Sequence, residues 1–174
     1  RVGLMRQNVL PMPGFTVREQ IIYCGWLMGM STREATVRAD DVIAAVNLTE
    51  KADDRTSRLS GGQLRRVGLA QVLVGEPEVL LLDEPFGALD ALTRINMQDL
   101  LLDVHRQDPT TILLVTHDVE EALYLSDRVI VLGKSAPDAP ATITRVVTIS
   151  DAHPRDRASK ELTALRAELL TELG

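Results

Sequence analysis

In Val79-Leu80-Leu81-Leu82-Asp83-Glu84-Pro85 an apolar run leads directly into two acids and a proline, and this segment is the strongest indicator of the fold class. A continuous apolar run of this length, bounded by Pro77 and Pro85, is typical of a strand buried on both faces of a parallel sheet. The same analysis predicts strands at 111–116 and 128–132 and helices at 92–106 and 119–126. Strands that alternate with helices in this way indicate an α/β fold.

The N-terminal part reads as a short strand followed by helices. A strand is predicted at 2–5, and the prolines and glycine up to residue 14 indicate a loop. Thr16 with Glu19 and Ser31 with Glu34 have the spacing of capping boxes, so each pair predicts the start of a helix. A third helix is predicted after Ser60.

The C-terminal part is predicted to hold a turn at 135–141, an exposed strand pair around 143–149 and a final helix. Four leucines give that helix one apolar stripe: Leu162, Leu165, Leu169 and Leu173.

Composition limits the classes of function. The 174 residues suit one domain or a large part of one, with 45% hydrophobic residues to form a core. The net charge of −6 argues against a nucleic-acid partner bound through bulk electrostatics. The lone Cys24 makes no internal disulfide, and the apolar stretch at 21–30 is far shorter than the roughly 20 residues of a membrane helix. Because the chain begins with Arg1 in an apolar segment, we expect it to be part of a longer domain.

Three residues with chemically useful side chains follow predicted strands. Asp83 and Glu84 come at the carboxyl end of one strand, where open α/β sheets bind ligands, and His117 follows the strand at 111–116. Asp83 is suited to a magnesium ion and Glu84 to a water that attacks phosphorus. The alternatives are an acidic surface turn and a structural histidine.

The segment Leu59-Ser60-Gly61-Gly62-Gln63 opens a predicted helix. A serine hydroxyl, two unhindered backbone N–H groups and the positive end of the helix dipole there favour an anion. The alternative is an ordinary helix cap that contains glycines.

Together these segments resemble the ATP-binding cassette family of transport ATPases over nearly the whole chain. Residues 59–63 are similar to its signature loop, 79–84 to its Walker B strand and catalytic glutamate, 88–90 to its D-loop, His117 to its switch histidine and Gln7 to its Q-loop glutamine. The resemblance implies a P-loop NTPase core that lacks its N-terminal part and carries an inserted helical subdomain. Its segments are the Q-loop region at 1–14, the helical signature subdomain at 15–76, the second half of the core at 77–134 and a C-terminal strand pair and helix at 135–174.

The resemblance also implies a mechanism in which two such domains, identical or different, sandwich ATP. Ser60, Gly61 and Gly62, with Gln63 beside them, would contact the γ-phosphate held by the partner, and Asp90 would lie close to the nucleotide. Glu84 would orient the attacking water, His117 would hold the γ-phosphate, and Asp83 with Gln7 would bind magnesium. The implied partners are a second ATPase domain, transmembrane permease subunits and a substrate-binding protein, and the implied location is the cytoplasmic face of the cell membrane.

The chain departs from the family in one respect and is mixed in another. No Gly-x-x-x-x-Gly-Lys-[Ser/Thr] loop is present, so we expect this chain alone to bind ATP poorly. Residues 84–94, 115–122 and 154–157 resemble importers of the nitrate, sulfonate and taurine type, whereas 16–19 and 59–71 resemble multidrug or antibiotic exporters, and Gln71 stands where arginine is commoner. One hypothesis is a chimera joined near residues 80–85.

Import of nitrate, sulfonate or taurine-like anions is the function that the longer resemblance favours. The alternatives are the ATPase of an exporter, an inactive truncated module and a soluble ATPase that acts on DNA or ribosomes.

Overall fold

A computed structural model describes residues 1–134 and 139–173. The chain divides into two compact units, Arg1–Val115 and Thr116–Gly174. The boundary between them falls inside the segment 77–134, which the family resemblance implies to be one part of the core. Over the two described ranges, no helix is both long enough and apolar enough to cross a membrane.

The first unit is built on a parallel three-stranded sheet in the order β1-β2-β3. The strands are β1 (Val2–Met5), β2 (Val79–Asp83) and β3 (Thr111–Val115). Three α-helices separate β1 from β2, namely α1 (Val17–Leu27), α2 (Thr32–Ala45) and α3 (Gly61–Leu73), and α4 (Ala91–Gln107) separates β2 from β3. Residues 47–58 contain two short 3-10 turns, Thr49–Lys51 and Thr56–Arg58. The α/β class is confirmed.

Only one face of this sheet is buried. Leu80 and Leu82 of β2 are each 1% exposed, and α3 packs against β1 on that side, where a Cβ at Gly3 would clash with Val72. Leu4 and Leu113, which flank Leu81 in register on the opposite face, are about half exposed. The prediction that the β2 run is buried on both faces is therefore wrong, because an apolar run does not reveal how many layers cover it.

The helices α1 and α2 begin at the predicted capping boxes. The Thr16 hydroxyl accepts a hydrogen bond from Glu19 N–H, and the Glu19 carboxylate accepts one from Thr16 N–H. Ser31 and Glu34 repeat the exchange at α2. Hydrogen bonds from Thr16 lower the pKa of Glu19, and those from Ser31 lower the pKa of Glu34.

The second unit contains α5 (Val119–Leu125), β4 (Arg128–Gly133), β5 (Thr142–Thr148) and α6 (Lys160–Leu173). Strands β4 and β5 are antiparallel. Its core consists of aliphatic side chains from both helices, both strands and the residue after β5, namely Leu123, Val131, Val147, Ile149, Leu162 and Leu169. Leu165 packs against this core, whereas Leu173, predicted to belong to the same stripe, is about half exposed.

Two strand predictions need correction in this unit. The strand at 128–132 belongs to a separate two-stranded sheet rather than to the parallel sheet of β1–β3, and its burial alternates as in an antiparallel strand with one solvated face. Within 143–149 there is one strand instead of a pair, because β5 takes β4 as its partner. Of the predicted turn at 135–141, residues 135–138 lie outside the described residues.

We expect the double variant Glu19→Gln and Glu34→Gln to lose less stability on acidification than the parent. Both glutamates have a folded-state pKa below the usual 4.5. They therefore contribute stability above that pH, and this stability is lost as the pH falls through the lowered pKa values. Gln keeps the capping acceptor and removes the titration.

Urea unfolding at about pH 6 and about pH 3.5 measures the difference. Glu161→Gln, in the first turn of α6, is the control. An unchanged pH dependence in the double variant would contradict this account of the caps.

Candidate functional site

The carboxyl edge of the parallel sheet brings together residues from two neighbouring strands. Met5 pairs with Leu82, so Gln7, two residues after Met5, follows β1 at the same edge at which Asp83 ends β2. Asp83 pairs with Val115 of β3 and is exposed. This edge is where open α/β sheets bind ligands.

Glu84 has a left-handed backbone with φ +44°, which is uncommon for a residue with a side chain. Its N–H donates to Val115 O at 2.9 Å, and its carbonyl accepts from Gly87 N–H at 3.3 Å. Pro85 and Phe86 are buried behind it, with Phe86 only 1% exposed. A conformation of this kind costs about 1–3 kcal/mol and persists only where the surroundings impose it. The chain thus turns sharply at the acid expected to act on water.

The side chains of Gln7 and Glu84 both approach Gly87. A Cβ at Gly87 would lie 3.6 Å from Glu84 Oε2 and 3.8 Å from Gln7 Nε2, which are ordinary contact distances. An amide and a carboxylate therefore border the same glycine. Sequence analysis assigned no role to Gly87, and the available signal was a glycine directly after the aromatic residue of the acid-bearing loop.

Buried polar side chains hold the backbone on both sides of Gln7. Arg65 of α3, 5% exposed, donates to Arg6 O at 3.4 Å. Gln20 of α1, fully buried, accepts from Met12 N–H at 3.0 Å and donates to Leu10 O at 3.3 Å.

Thr56 completes this set, because its hydroxyl lies 3.2 Å from Met12 O and 3.3 Å from Phe15 O.

Burial also affects the charge of this set, because desolvation lowers the pKa of Arg65. Sequence analysis missed all three residues. The only local signal was a glutamine at position 20, between Val17 and Ile21 on the apolar side of α1.

The segment predicted as an anion site does open a helix, α3. Ser60 is its N-cap, and Ser60 and Gln63 form a capping box in which each side chain accepts the other's backbone N–H. The first helical backbone bond runs from Leu64 N–H to Ser60 O, so the N–H groups of Gly61 and Gly62 precede the helical ladder. These two groups and the Ser60 hydroxyl proton are the donors that an anion would use.

Gly62 also has a packing role that the sequence did not predict. A Cβ there would lie 2.5 Å from the Thr93 methyl carbon in the first turn of α4, whereas a Cβ at Gly61 would meet open space. Asp90 is the N-cap of α4 and accepts from Thr93 N–H at 3.0 Å. The hydrogen bonds with Thr93 lower the pKa of Asp90. The start of the signature helix therefore packs against the helix that Asp90 caps.

His117 belongs to the second unit, one residue before the N-cap of α5. The N-cap is Asp118, whose carboxylate accepts from the N–H groups of Glu120 and Glu121. The hydroxyl of Thr116 donates to the Glu121 carboxylate at 2.8 Å. The predicted convergence of His117 with Asp83 and Glu84 at one sheet edge stays a prediction.

Asp83 and Gln7 fit a magnesium ion bound mainly through a phosphate. No group of three or more His, Cys, Asp or Glu side chains in residues 1–134 and 139–173 could hold a metal by itself. Mg²⁺ typically uses one or two carboxylates together with substrate phosphates and water. Asp83, with an exposed carboxylate, and Gln7, with a side-chain amide at the same sheet edge, are the kinds of oxygen donor that such a site uses.

Comparison with known proteins identifies the family. A family model described as ABC transporter matches residues 1–87. This chain belongs to the ABC transporter family. Across 83% of its length the ABC chain is 50% identical to the aliphatic sulfonates import ATP-binding protein SsuB 1 of Rhodococcus jostii, of which it covers 56%. Across 99% of its length it is 43% identical to the aliphatic sulfonates import ATP-binding protein SsuB 2 of Pseudomonas syringae pv. tomato, covering 71% of that protein.

A solved structure supports the same assignment. The ABC chain matches cbiO1 from Clostridium perfringens, part of the ABC transporter complex cbiONQ, with a TM-score of 0.66 and 28% identity over 74% of this chain and 52% of that one. The chain therefore spans about half the length of the Rhodococcus jostii protein and of cbiO1, and 71% of the length of the Pseudomonas syringae protein. That SsuB relative matches both halves across residues 80–85, so the comparison does not require the proposed junction there.

We expect Gly62→Ala to destabilise the protein by about 1–3 kcal/mol, because the new methyl group would overlap Thr93. Gly61→Ala, with open space around it, is the matched control and should be neutral or stabilising by up to about 1 kcal/mol. Urea unfolding measures both values. Thr93→Ser removes the obstructing methyl group and should restore most of the loss caused by Gly62→Ala. Equal effects at the two glycines would refute the packing role.

We expect Glu84→Gly to be more stable than Glu84→Ala by about 1 kcal/mol, since only glycine tolerates a positive φ without strain. The comparison between two truncations cancels the loss of the carboxylate. At Glu168, inside α6, the order should reverse by a similar amount. Thermal and urea unfolding of the four variants give the difference in stability between Gly and Ala at each position. If Ala were more stable than Gly at residue 84, as expected inside a helix, the left-handed turn would be contradicted.

Proposed function

We propose that this chain is part of the nucleotide-binding subunit of an ABC importer that couples ATP binding and hydrolysis to the uptake of sulfonate-type anions. The observation that carries the proposal is the approach of both Gln7 and Glu84 to Gly87, on the carboxyl edge of a parallel sheet. A carboxylate held by a constrained backbone beside a polar amide suits the orientation of a water molecule for attack on a phosphate.

Each site residue has a distinct part in this proposal. Glu84 accepts the proton of the attacking water. Asp83 with Gln7 would hold magnesium, which when bound would supply positive charge against the phosphates. Ser60 and the N–H groups of Gly61 and Gly62 donate to the γ-phosphate bound by a second ATPase domain.

The remaining residues support these contacts. Gln63 keeps Ser60 in place through the capping box, and Asp90 holds the start of α4 against the signature helix. His117 donates to the γ-phosphate.

An aromatic groove on the first unit supports a permease as partner. The groove has a volume of about 500 Å³ and is lined by Gly14, Phe15, Ile22, Tyr23 and Trp26, among others. The rings of Tyr23 and Trp26 stack at 5.9 Å, and Trp26, Leu27 and Met28 are more than half exposed. Exposed aromatic and apolar side chains of this kind are typical of protein interfaces.

The groove lies close to the nucleotide site along the chain. Gly14 and Phe15 end the same segment that begins at Gln7 and that Gln20 and Thr56 hold. A permease seated in the groove would place the subunit at the cytoplasmic face of the membrane.

Sulfonates are the substrate class that the relatives favour over nitrate. The two SsuB proteins are aliphatic sulfonate import ATP-binding proteins by name, and together with their identities of 43–50% to this chain they support import. A substrate-binding protein would deliver the anion to the permease.

The complete gene product, produced with its permease and binding protein, tests the proposal. Cells that lack their own sulfonate importer should grow on an aliphatic sulfonate as sole sulfur source when this system is supplied. Glu84→Gln should abolish growth and lower ATP hydrolysis by about 100-fold or more, since the base is lost. Glu161→Gln is the control in the same chain. Uptake of nitrate but not of sulfonate would overturn the substrate class, drug efflux would overturn import, and hydrolysis that resists Glu84→Gln would overturn the catalytic assignment.

A further inference from the structure

Arg155 binds the end of α5 from a buried position. Its side chain is fully inaccessible, and Nη1 donates to the carbonyls of Leu123, Tyr124 and Ser126 at 3.0, 3.1 and 3.0 Å. Nε donates to Asp151 O at 2.9 Å. One guanidinium therefore contacts three carbonyls at the C-terminal end of one helix and ties them to the segment that precedes α6.

These contacts satisfy groups that a helix leaves unpaired. The last carbonyls of an α-helix have no partner within the helix, and they form the negative end of its dipole. A buried guanidinium there supplies both hydrogen bonds and positive charge. Asp127, whose carboxylate lies 3.6 Å from Nη2, keeps the cation paired.

Helix α5 needs such an anchor because it has only seven residues. Isolated helices of this length are not stable in water, so its order depends on contacts with the rest of the unit. Several contacts hold it, among them the Asp118 cap at its start, the packing of Leu123 into the core with Leu162 and Leu169, and Arg155 at its end. Arg155 is the one that binds the carbonyls of the last turn.

We propose that Arg155 is a positioning residue for His117. His117 immediately precedes the Asp118 cap, so its backbone position depends in part on whether α5 stays formed. By binding the carbonyls at the C-terminal end of this short helix, Arg155 stabilises the helix and with it the position of its first turn. The inference rests on the proposed role of His117 at the γ-phosphate and adds a residue that contacts neither nucleotide nor metal.

The geometry requires an arginine. Nη1 and Nε point to carbonyls of two different segments, α5 and the loop at Asp151, and a planar fork serves both at once. A lysine ammonium is a single point charge on a flexible stem, so it would reach one set and leave the other unpaired.

The complete gene product, assembled with its permease, provides the test. In Arg155→Met, hydrogen exchange of residues 117–126 should increase, kcat for ATP hydrolysis should fall by about 10- to 100-fold, and KM for ATP should change by less than about twofold. Arg155→Lys should give the same pattern with smaller changes, and it carries the comparison if Arg155→Met does not fold. Arg145→Met, which breaks exposed ion pairs with Glu168 and Glu172, is the matched control for a general loss of stability in this unit.

Two further outcomes separate this inference from the proposed function. If His117→Ala abolishes hydrolysis while Arg155→Lys behaves like Arg145→Met in both exchange and kcat, the positioning role of Arg155 is wrong and the proposed function stands. If His117→Ala leaves hydrolysis unchanged, the proposed role of His117 is wrong, and Arg155 has no catalytic residue to position.

Discussion

The pairing of β1 with β2 is the constraint on which the first unit depends. Gly3 lies opposite Leu80 and Met5 opposite Leu82, although more than 70 residues separate them along the chain. A parallel pair needs a long crossover connection, and α1, α2 and α3 provide it. The same register brings the carboxyl ends of both strands to one edge, so Gln7, two residues after β1, and Asp83, the last residue of β2, lie at the same edge of the sheet. Loss of this pairing would separate the two loops that the proposed chemistry requires.

Buried polar side chains serve the parts of the chain that the sheets cannot hold. Arg65, Gln20 and Thr56 bind the backbone around Gln7, and Arg155 binds the end of α5. A backbone carbonyl buried without a partner costs about 1–3 kcal/mol, so each of these side chains replaces water that the interior excludes. These four buried polar side chains therefore lie beside the segments that carry the proposed site residues. They hold irregular backbone in one conformation, as hydrogen bonds between strands do in a sheet.

Local features of the fold were predictable, and features that depend on distant partners were not. The capping boxes at Thr16 and Ser31 involve residues three apart, so the sequence alone identifies them. The partner of β4 could not be deduced in this way, because an apolar run of five residues suits a parallel or an antiparallel sheet equally well. The surroundings of the two glycines could not be predicted either. Gly87 lies near Gln7, which is remote in the sequence, and Gly62 lies against Thr93 of another helix. The family resemblance assigns roles to Gln7, Glu84 and His117. The buried polar residues that bind the backbone near Gln7 and His117 were identified only from the structure.

The half-exposed face of the parallel sheet has a consequence for the behaviour of this chain in solution. Leu4, Leu113 and Val115 place aliphatic side chains of β1 and β3 on this face, and each of these residues is about half exposed to water. Such a surface lowers solubility, and salts that strengthen the hydrophobic effect, sulfate and phosphate above all, increase its tendency to self-associate. Buffers of low ionic strength and dilute protein therefore suit this chain, since concentrated sulfate would bring sheet faces of separate molecules together while each molecule stays folded.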